Sequence, residues 1–402
     1  MKEKYLEITQ NITLWLIIFA CFSINLPTAF MTISSVGILV FCLISGGYKI
    51  KFERLKNNPV AVIAIVLFVL YVLSSLYSSA SWDDKVKYLL KYEKLLLIPL
   101  IVSALSVDRM RAHALNAFIV SSIIILLISY LEWGGWIPHD DSNHEGYIVF
   151  KSRIAHGIFI EFAIFLMLNR AIQSNGKIRI FWGILIVFSV LNILFLVNGR
   201  TGQVIFLLLI IWLTFEIWKL RAIKYWASLF LAGLILHQVL PPISLHSRLF
   251  DTQQELADHQ SNGVQTSAGI RMEMYKNTLP LIKEHPLLGG GVGSIANEYQ
   301  KRAKNNNLIM SEVSNPHNQF ILTTQELGVV GLIVLLSMFT LNWIASYKLS
   351  YVQDGIAFRG LILTMVIGCL FNSLLMDAGE GNFYCVLAGV LASGYKSQPR
   401  SV

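Results

Sequence analysis

Residues 181–215 read FWGILIVFSVLNILFLVNGRTGQVIFLLLIIWLTF. Two apolar runs meet at one short polar turn, Asn198-Gly199-Arg200-Thr201-Gly202. Crossing the hydrocarbon core of a bilayer takes roughly 20 mostly apolar residues, and both runs qualify once their continuations are counted. The turn is too short to leave the membrane boundary, so Arg200 is held at an interface in a glycine-flanked bend. A cation there is costly unless an anion meets it; the plainer possibility is an arginine that snorkels to water.

The same pattern extends in both directions. About twelve apolar runs start near Ile12, Ile33, Val60, Tyr88, Ala114, Ile154, Phe181, Gln203, Tyr225, Gln319, Arg359 and Phe383. Only 14% of the 402 residues are charged, against about a quarter in a soluble domain. The expected architecture is an all-α polytopic membrane protein of about 12 transmembrane helices. Residues 1–402 form one membrane domain, interrupted by one long polar insertion, residues 241–318, between spans nine and ten. Short helices are expected inside that insertion. The first run reads as a permanent anchor, because further runs follow at once. Cys21, Cys42, Cys369 and Cys385 all lie inside apolar runs and suggest neither a disulfide framework nor a metal site.

The net charge of +8 comes from Lys and Arg in short loops rather than from a basic module, which argues against nucleic acid. Those cations alternate. Lys49, Lys51, Arg54 and Lys56, then Arg109 and Arg111, then Arg170, Lys177 and Arg179 fall on one side, whereas the turn at Pro27 has none. The positive-inside rule then places both termini in the cytoplasm and the long insertion outside.

Polar features converge on that outer side. Beyond Arg200, the insertion carries Gly269-Ile270-Arg271-Met272-Glu273-Met274-Tyr275, in which Ile270, Met274 and Tyr275 share one helical face. His285-Pro286-Leu287-Leu288-Gly289-Gly290-Gly291-Val292-Gly293 follows, a bend whose N–H groups are candidates for anion binding or simply a turn. Asn315-Pro316-His317-Asn318-Gln319 precedes the tenth run and places His317 at its mouth, where an imidazole can act as a general base. Two guanidinium forks suit a diphosphate, and the bilayer suits its lipid tail. Weaker candidates for substrate contact are Lys87, Lys91 and Lys94 on one helical face, Arg153 and His156 at the outer start of the sixth run, and Asn318. Glu161 lies deeper in that run. Asp377 and Glu380 lie on the outer side with no role assigned.

The combination of the Arg200 turn, Arg271 with the downstream His285-to-Gly291 stretch, and Pro316-His317-Asn318-Gln319 followed by Glu326-Leu327-Gly328 and Gly331 resembles the O-antigen ligase and polymerase superfamily. The resemblance implies a GT-C-type glycosyltransferase in the inner membrane of a Gram-negative bacterium, with its active site facing the periplasm. It implies an undecaprenyl-diphosphate-linked O-antigen donor, a lipid A–core acceptor, inversion at the anomeric carbon, and no metal or other cofactor. Arg200 and Arg271 match the family's diphosphate-binding arginines, and His317 its essential histidine. A polymerase would use the same donor chemistry, and a protein O-oligosaccharyltransferase is a further member. A polyprenyl-glycan transporter is the reading from another class, and duplicated halves, which this sequence lacks, would favour it.

Overall fold

The computed structural model describes residues 2–139, 146–197, 199–224, 226, 267–306 and 313–396. Within them the chain is helical, with two isolated bridges, Gly146 to Val197 and Leu349 to Tyr395, in place of any sheet. The first half contains α1 (Lys2–Ser23), α2 (Thr28–Ile44), α3 (Tyr48–Lys56), α4 (Pro59–Ser74), α5 (Trp82–Tyr92), α6 (Leu97–Ala104), α7 (Asp108–Trp133), α8 (Arg153–Gln173), α9 (Gly176–Leu191) and α10 (Arg200–Trp218). A 3-10 turn, Glu93–Leu96, joins α5 to α6, and a π turn, Asn192–Leu196, extends α9. Then come α11 (Ser267–Glu284), α12 (Ser294–Asn306), α13 (Gln319–Ser346), α14 (Val352–Cys369) and α15 (Ala378–Ala392).

Seven of the described helices are long and apolar enough to cross a membrane: α1, α7, α8, α9 with its π turn, α10, α13 and α14. Counting the bent pair α2 and α3 as one span, folded by 118°, gives eight. The protein is therefore a multi-pass membrane protein, and the count differs from twelve for identifiable reasons. The run at Tyr88 breaks at Glu93–Leu96, where charged residues interrupt it. The helix α4 is shorter, at 16 residues. The helix α15, at 15 residues, has a side-chain surface that is almost wholly buried, so it fills the interior instead of meeting lipid. The run at Tyr225 lies outside the described residues.

Helix starts follow local chemistry. The Asn58 side chain accepts from the Val60 and Ala61 N–H groups, with Pro59 in the first turn of α4. Ser81 caps α5 ahead of Asp83 and Asp84, and Ser152 caps α8. The core is formed where α15 meets α6, α14, α1 and α7, with Phe118, Phe159, Phe162 and Phe383 packed ring to ring. Outward faces stay apolar: Ile180, Phe181, Ile184, Val187 and Phe188 of α9 are all exposed. A soluble protein rarely exposes so continuous an apolar surface, and lipid accounts for it.

At one end of the bundle, buried ion pairs tie helices together. Arg111 meets Asp354 at 2.7 Å and Arg359 meets Glu216 at 2.8 Å, which joins α14 to α7 and to α10. The opposite end holds the loops and short helices described next.

Candidate active site

His317 lies two residues before α13, in a backbone conformation (φ 53°) that non-glycine residues adopt rarely. Its neighbours enforce it. The His317 N–H donates to Asn315 Oδ1 at 2.8 Å, and Asn318 then caps α13 by accepting from the Phe320 and Ile321 N–H groups, each at 3.0 Å. The imidazole is half-buried, with Nδ1 2.8 Å from Asn372 Oδ1. Asn372 Nδ2 donates to Asp377 Oδ2 at 2.9 Å. A carboxylate only accepts, so the amide of Asn372 turns its NH2 toward Asp377 and its oxygen toward His317. Nδ1 must then carry the proton, which leaves the lone pair of a neutral ring on Nε2.

The segment 370–377 that presents Asn372 and Asp377 is pinned from three directions. Lys94 Nζ donates to the carbonyls of Met376 (3.2 Å) and Asp377 (2.7 Å). Gln319 Oε1 accepts from the N–H groups of Leu375 (3.0 Å) and Met376 (3.3 Å). Asn318 Nδ2 donates to the Leu370 carbonyl at 3.0 Å. Burial raises the Asp377 carboxyl above its ordinary value, while Lys94, His317 and Lys91 pull in the other direction.

Arg271 stands in the second turn of α11, half-buried. Its charge acts on the Tyr275 phenol, opposing the rise that burial imposes there. Tyr275 Oη donates to the His317 carbonyl at 3.3 Å, with the Leu370 carbonyl at 3.4 Å. The arginine-bearing helix and the histidine turn thus meet through one tyrosine. The expected apolar face of α11 is present as a small core of Met274 and Leu281 with Tyr299, Ala303 and Val313, against which Ile270 and Tyr275 pack.

Arg200 begins α10, and its side chain lies outside the described residues. The backbone position is informative. Gly199 sits beside the carbonyl of Arg153, and a Cβ built on it would lie 3.5 Å from that oxygen. Ile205, just over one turn into α10, comes within 3.4 Å of where a Cβ on Gly368 would stand, at the foot of the segment bearing Asn372. The break before α10 is held by the Gly146 to Val197 bridge and by the Tyr147 N–H donating to the Leu196 carbonyl at 3.0 Å. The turns bearing Arg200, Arg271 and His317 therefore occupy one end of the molecule.

Other candidates take different places. Asn318 spends its oxygen on the cap of α13 and its NH2 on Leu370, so it is structural. His156 is buried, with Nδ1 accepting from the Val149 N–H at 3.4 Å and Nε2 facing Asn192 Oδ1 at 3.2 Å, which leaves neither nitrogen for a substrate. The three lysines do not form a stripe. Lys87 is exposed, Lys91 lies over the Tyr88 ring at 4.4 Å, and Lys94 turns inward within the 3-10 turn. Arg153 starts α8 beside the Arg200 turn. Glu161 is fully buried against Gly157 and Gly202, between α8 and α10.

The glycine-rich bend is not an anion cradle, because its N–H groups are already used. Gly290 donates to the Gln325 carbonyl (2.8 Å), Gly291 to the Glu326 carbonyl (2.9 Å), Val292 to Ser74 Oγ (3.1 Å) and Gly293 to Glu326 Oε1 (2.8 Å). In return, the Val329 N–H donates to the Pro286 carbonyl at 2.9 Å. The bend threads through a break in α13 at Gly328 (φ 65°, ψ −165°), a conformation open essentially to glycine alone. A Cβ on Gly289, Gly291 or Gly328 would collide with the opposing backbone. Glu326, buried at the crossing, also accepts from Tyr92 Oη at 3.1 Å.

The protein is 22% identical over 350 residues, 84% of each chain, to an uncharacterized protein of Haemophilus influenzae. Residues 184–336 match the family model described as O-antigen ligase. That segment begins inside α9 and ends within α13, so it contains Arg200, Arg271, the glycine-rich bend and His317. On this match residues 184–336 are similar to the O-antigen ligase family.

Proposed function

We propose that the protein is an O-antigen ligase. In this reading it moves an O-antigen polysaccharide from undecaprenyl diphosphate to lipid A–core, as a metal-independent, inverting GT-C-type glycosyltransferase of the Gram-negative inner membrane. The termini are cytoplasmic, and the site end of the bundle, with the 241–318 insertion, faces the periplasm. The observation that carries the reading is the anchoring of His317. Its Nδ1 is bound through Asn372 to Asp377, and its backbone is bound to Tyr275 of the helix bearing Arg271.

In the proposed reaction the acceptor hydroxyl oxygen bonds to the anomeric carbon, and the bond from that carbon to the phosphate oxygen breaks. The hydroxyl proton passes to Nε2 of His317, the nitrogen that the Asn372 contact leaves unprotonated. The electron pair of the broken bond leaves with the diphosphate, whose growing charge Arg200 and Arg271 stabilise as fixed cations. Attack opposite the leaving group inverts the carbon. Asp377 supports the transient imidazolium through Asn372. Lys91 and Arg153 would contact substrate phosphates or sugar.

The test is reconstitution of the purified protein with lipid-linked glycan, a chelator, and two acceptors, lipid A–core and a second lipid-linked glycan. Extension of lipid A–core supports the ligase. Extension of the lipid-linked glycan alone makes the protein a polymerase, and transfer to neither removes both the ligase and the polymerase readings.

A further inference from the structure

Away from His317, a cleft of about 470 Å³ opens between α11, α12 and the loop after α4. That volume is in the range of small-molecule sites, but the lining is unusual. Glu284 and His285 at the end of α11 face Asn297, Glu298, Lys301 and Arg302 of α12, and the only aliphatic side chain among the lining residues is Leu281. Two carboxylates balance two cations, so the cleft is close to neutral. A phosphate would meet Glu284 and Glu298, and a wholly apolar ligand would leave the charged and amide groups of the wall without partners. What suits alternating donors and acceptors of balanced charge is a neutral polyhydroxyl compound, whose hydroxyls both give and take hydrogen bonds.

The cleft is also fixed relative to the candidate active site. Its α11 wall is the helix that carries Arg271, and from Arg271 to Glu284 that helix runs roughly 20 Å at 1.5 Å per residue. Its α12 wall is bound to α13, because Gln325 Nε2 donates to Glu298 Oε2 and Ser294 Oγ, each at 2.9 Å. Ser79 Oγ donates to Glu298 Oε1 at 3.1 Å and closes the third side. A polymer whose reducing end is at His317 passes this cleft only after several sugar units.

We infer that the cleft is a second binding site, which holds the glycan chain of the substrate several units from the reacting carbon. The identity of the chain rests on the function proposed above, but the binding itself does not. Full-length protein in nanodiscs is titrated with neutral polysaccharide released from its carrier lipid by mild acid, which lacks the diphosphate. The expected result is saturable binding that Asn297→Ala with Lys301→Ala weakens about 10-fold, as the loss of two net hydrogen bonds predicts. Both residues are exposed, so the variant folds as the parent does. Arg271→Ala should bind the released chain as wild type does, and excess inorganic phosphate should not displace it. In transfer assays the cleft variant should lose about 10-fold in kcat/KM for long-chain donors and nothing for a single-repeat donor. The inference is overturned by absence of binding to wild type, by equal binding to the cleft variant, by displacement with phosphate, or by equal losses on long and short donors. Loss of binding in the cleft variant alongside full transfer by Arg271→Ala would instead sink the proposed function and leave the cleft standing.

Discussion

Asn372 lies 2.8 Å from Nδ1 of His317, although the two are 55 residues apart in the chain. The amide is held by Asp377 on its other side, so it acts as a fixed acceptor. It selects one tautomer of the imidazole and one orientation of the ring.

Asn372→Ala should leave donor affinity within a few-fold of wild type and lower kcat by about 10–100-fold, a part of the usual contribution of a general base. His317→Ala should lower kcat further, with donor binding still retained. Single-turnover rates and donor titrations on the same preparations measure both. A loss of donor binding equal to the loss of rate would move His317 from proton transfer to substrate binding.

Asp377 supplies a pH dependence. Burial raises its carboxyl above the ordinary 3.8, so it takes up a proton at higher pH than a free aspartate does as the medium is acidified. The carboxylate form accepts from Asn372 and supports a positive imidazole, so activity falls on the acid side as that form is lost. In Asp377→Asn the acid limb of kcat/KM should lose the steepness of one proton, and its plateau should fall about 10-fold. An unchanged limb in the variant would remove Asp377 from the reaction.

Arg271→Ala and Arg200→Ala should insert normally and lose transfer by about 100-fold or more, as removal of a preorganised donor does elsewhere. Lys at either position should recover only part of that, since a point charge lacks the paired donors of the guanidinium. Core capping in cells, read on gels beside membrane levels of each variant, distinguishes lost chemistry from lost protein.

Gly328→Ala should damage the fold before the chemistry. The new Cβ would collide with Leu287, and the backbone conformation alone costs about 1–3 kcal/mol in a residue other than glycine. A lower melting temperature of the detergent-solubilised protein is expected. Gly183→Ala is the control, since nothing stands within 4 Å of a Cβ at that site of α9.

The apolar runs were readable from hydropathy, and the amphipathic face of α11 from the spacing of Ile270, Met274 and Tyr275. Helix lengths were less readable, because an apolar run with Glu93 and Lys94 inside it gives no sign of where a break falls. Asn372 and Asp377 had no local signature: their partner is distant in sequence, and only the packing of 370–377 against Lys94 and Gln319 brings them to His317. The glycine-rich bend was ambiguous for another reason. Glycines that permit a close backbone approach look identical, as letters, to glycines that cradle an anion, and the distinction depends on where the N–H groups point.

The crossing at Gly328 has a mechanical consequence. It divides α13 into a short leading piece next to His317 and a long trailing piece whose Val329, Val330 and Ile333 face outward. The bend bonds to both pieces, through the Gln325 and Glu326 carbonyls of the leading one and the Val329 N–H of the trailing one. The direction of the helix beside the imidazole is therefore set by backbone hydrogen bonds inside the protein.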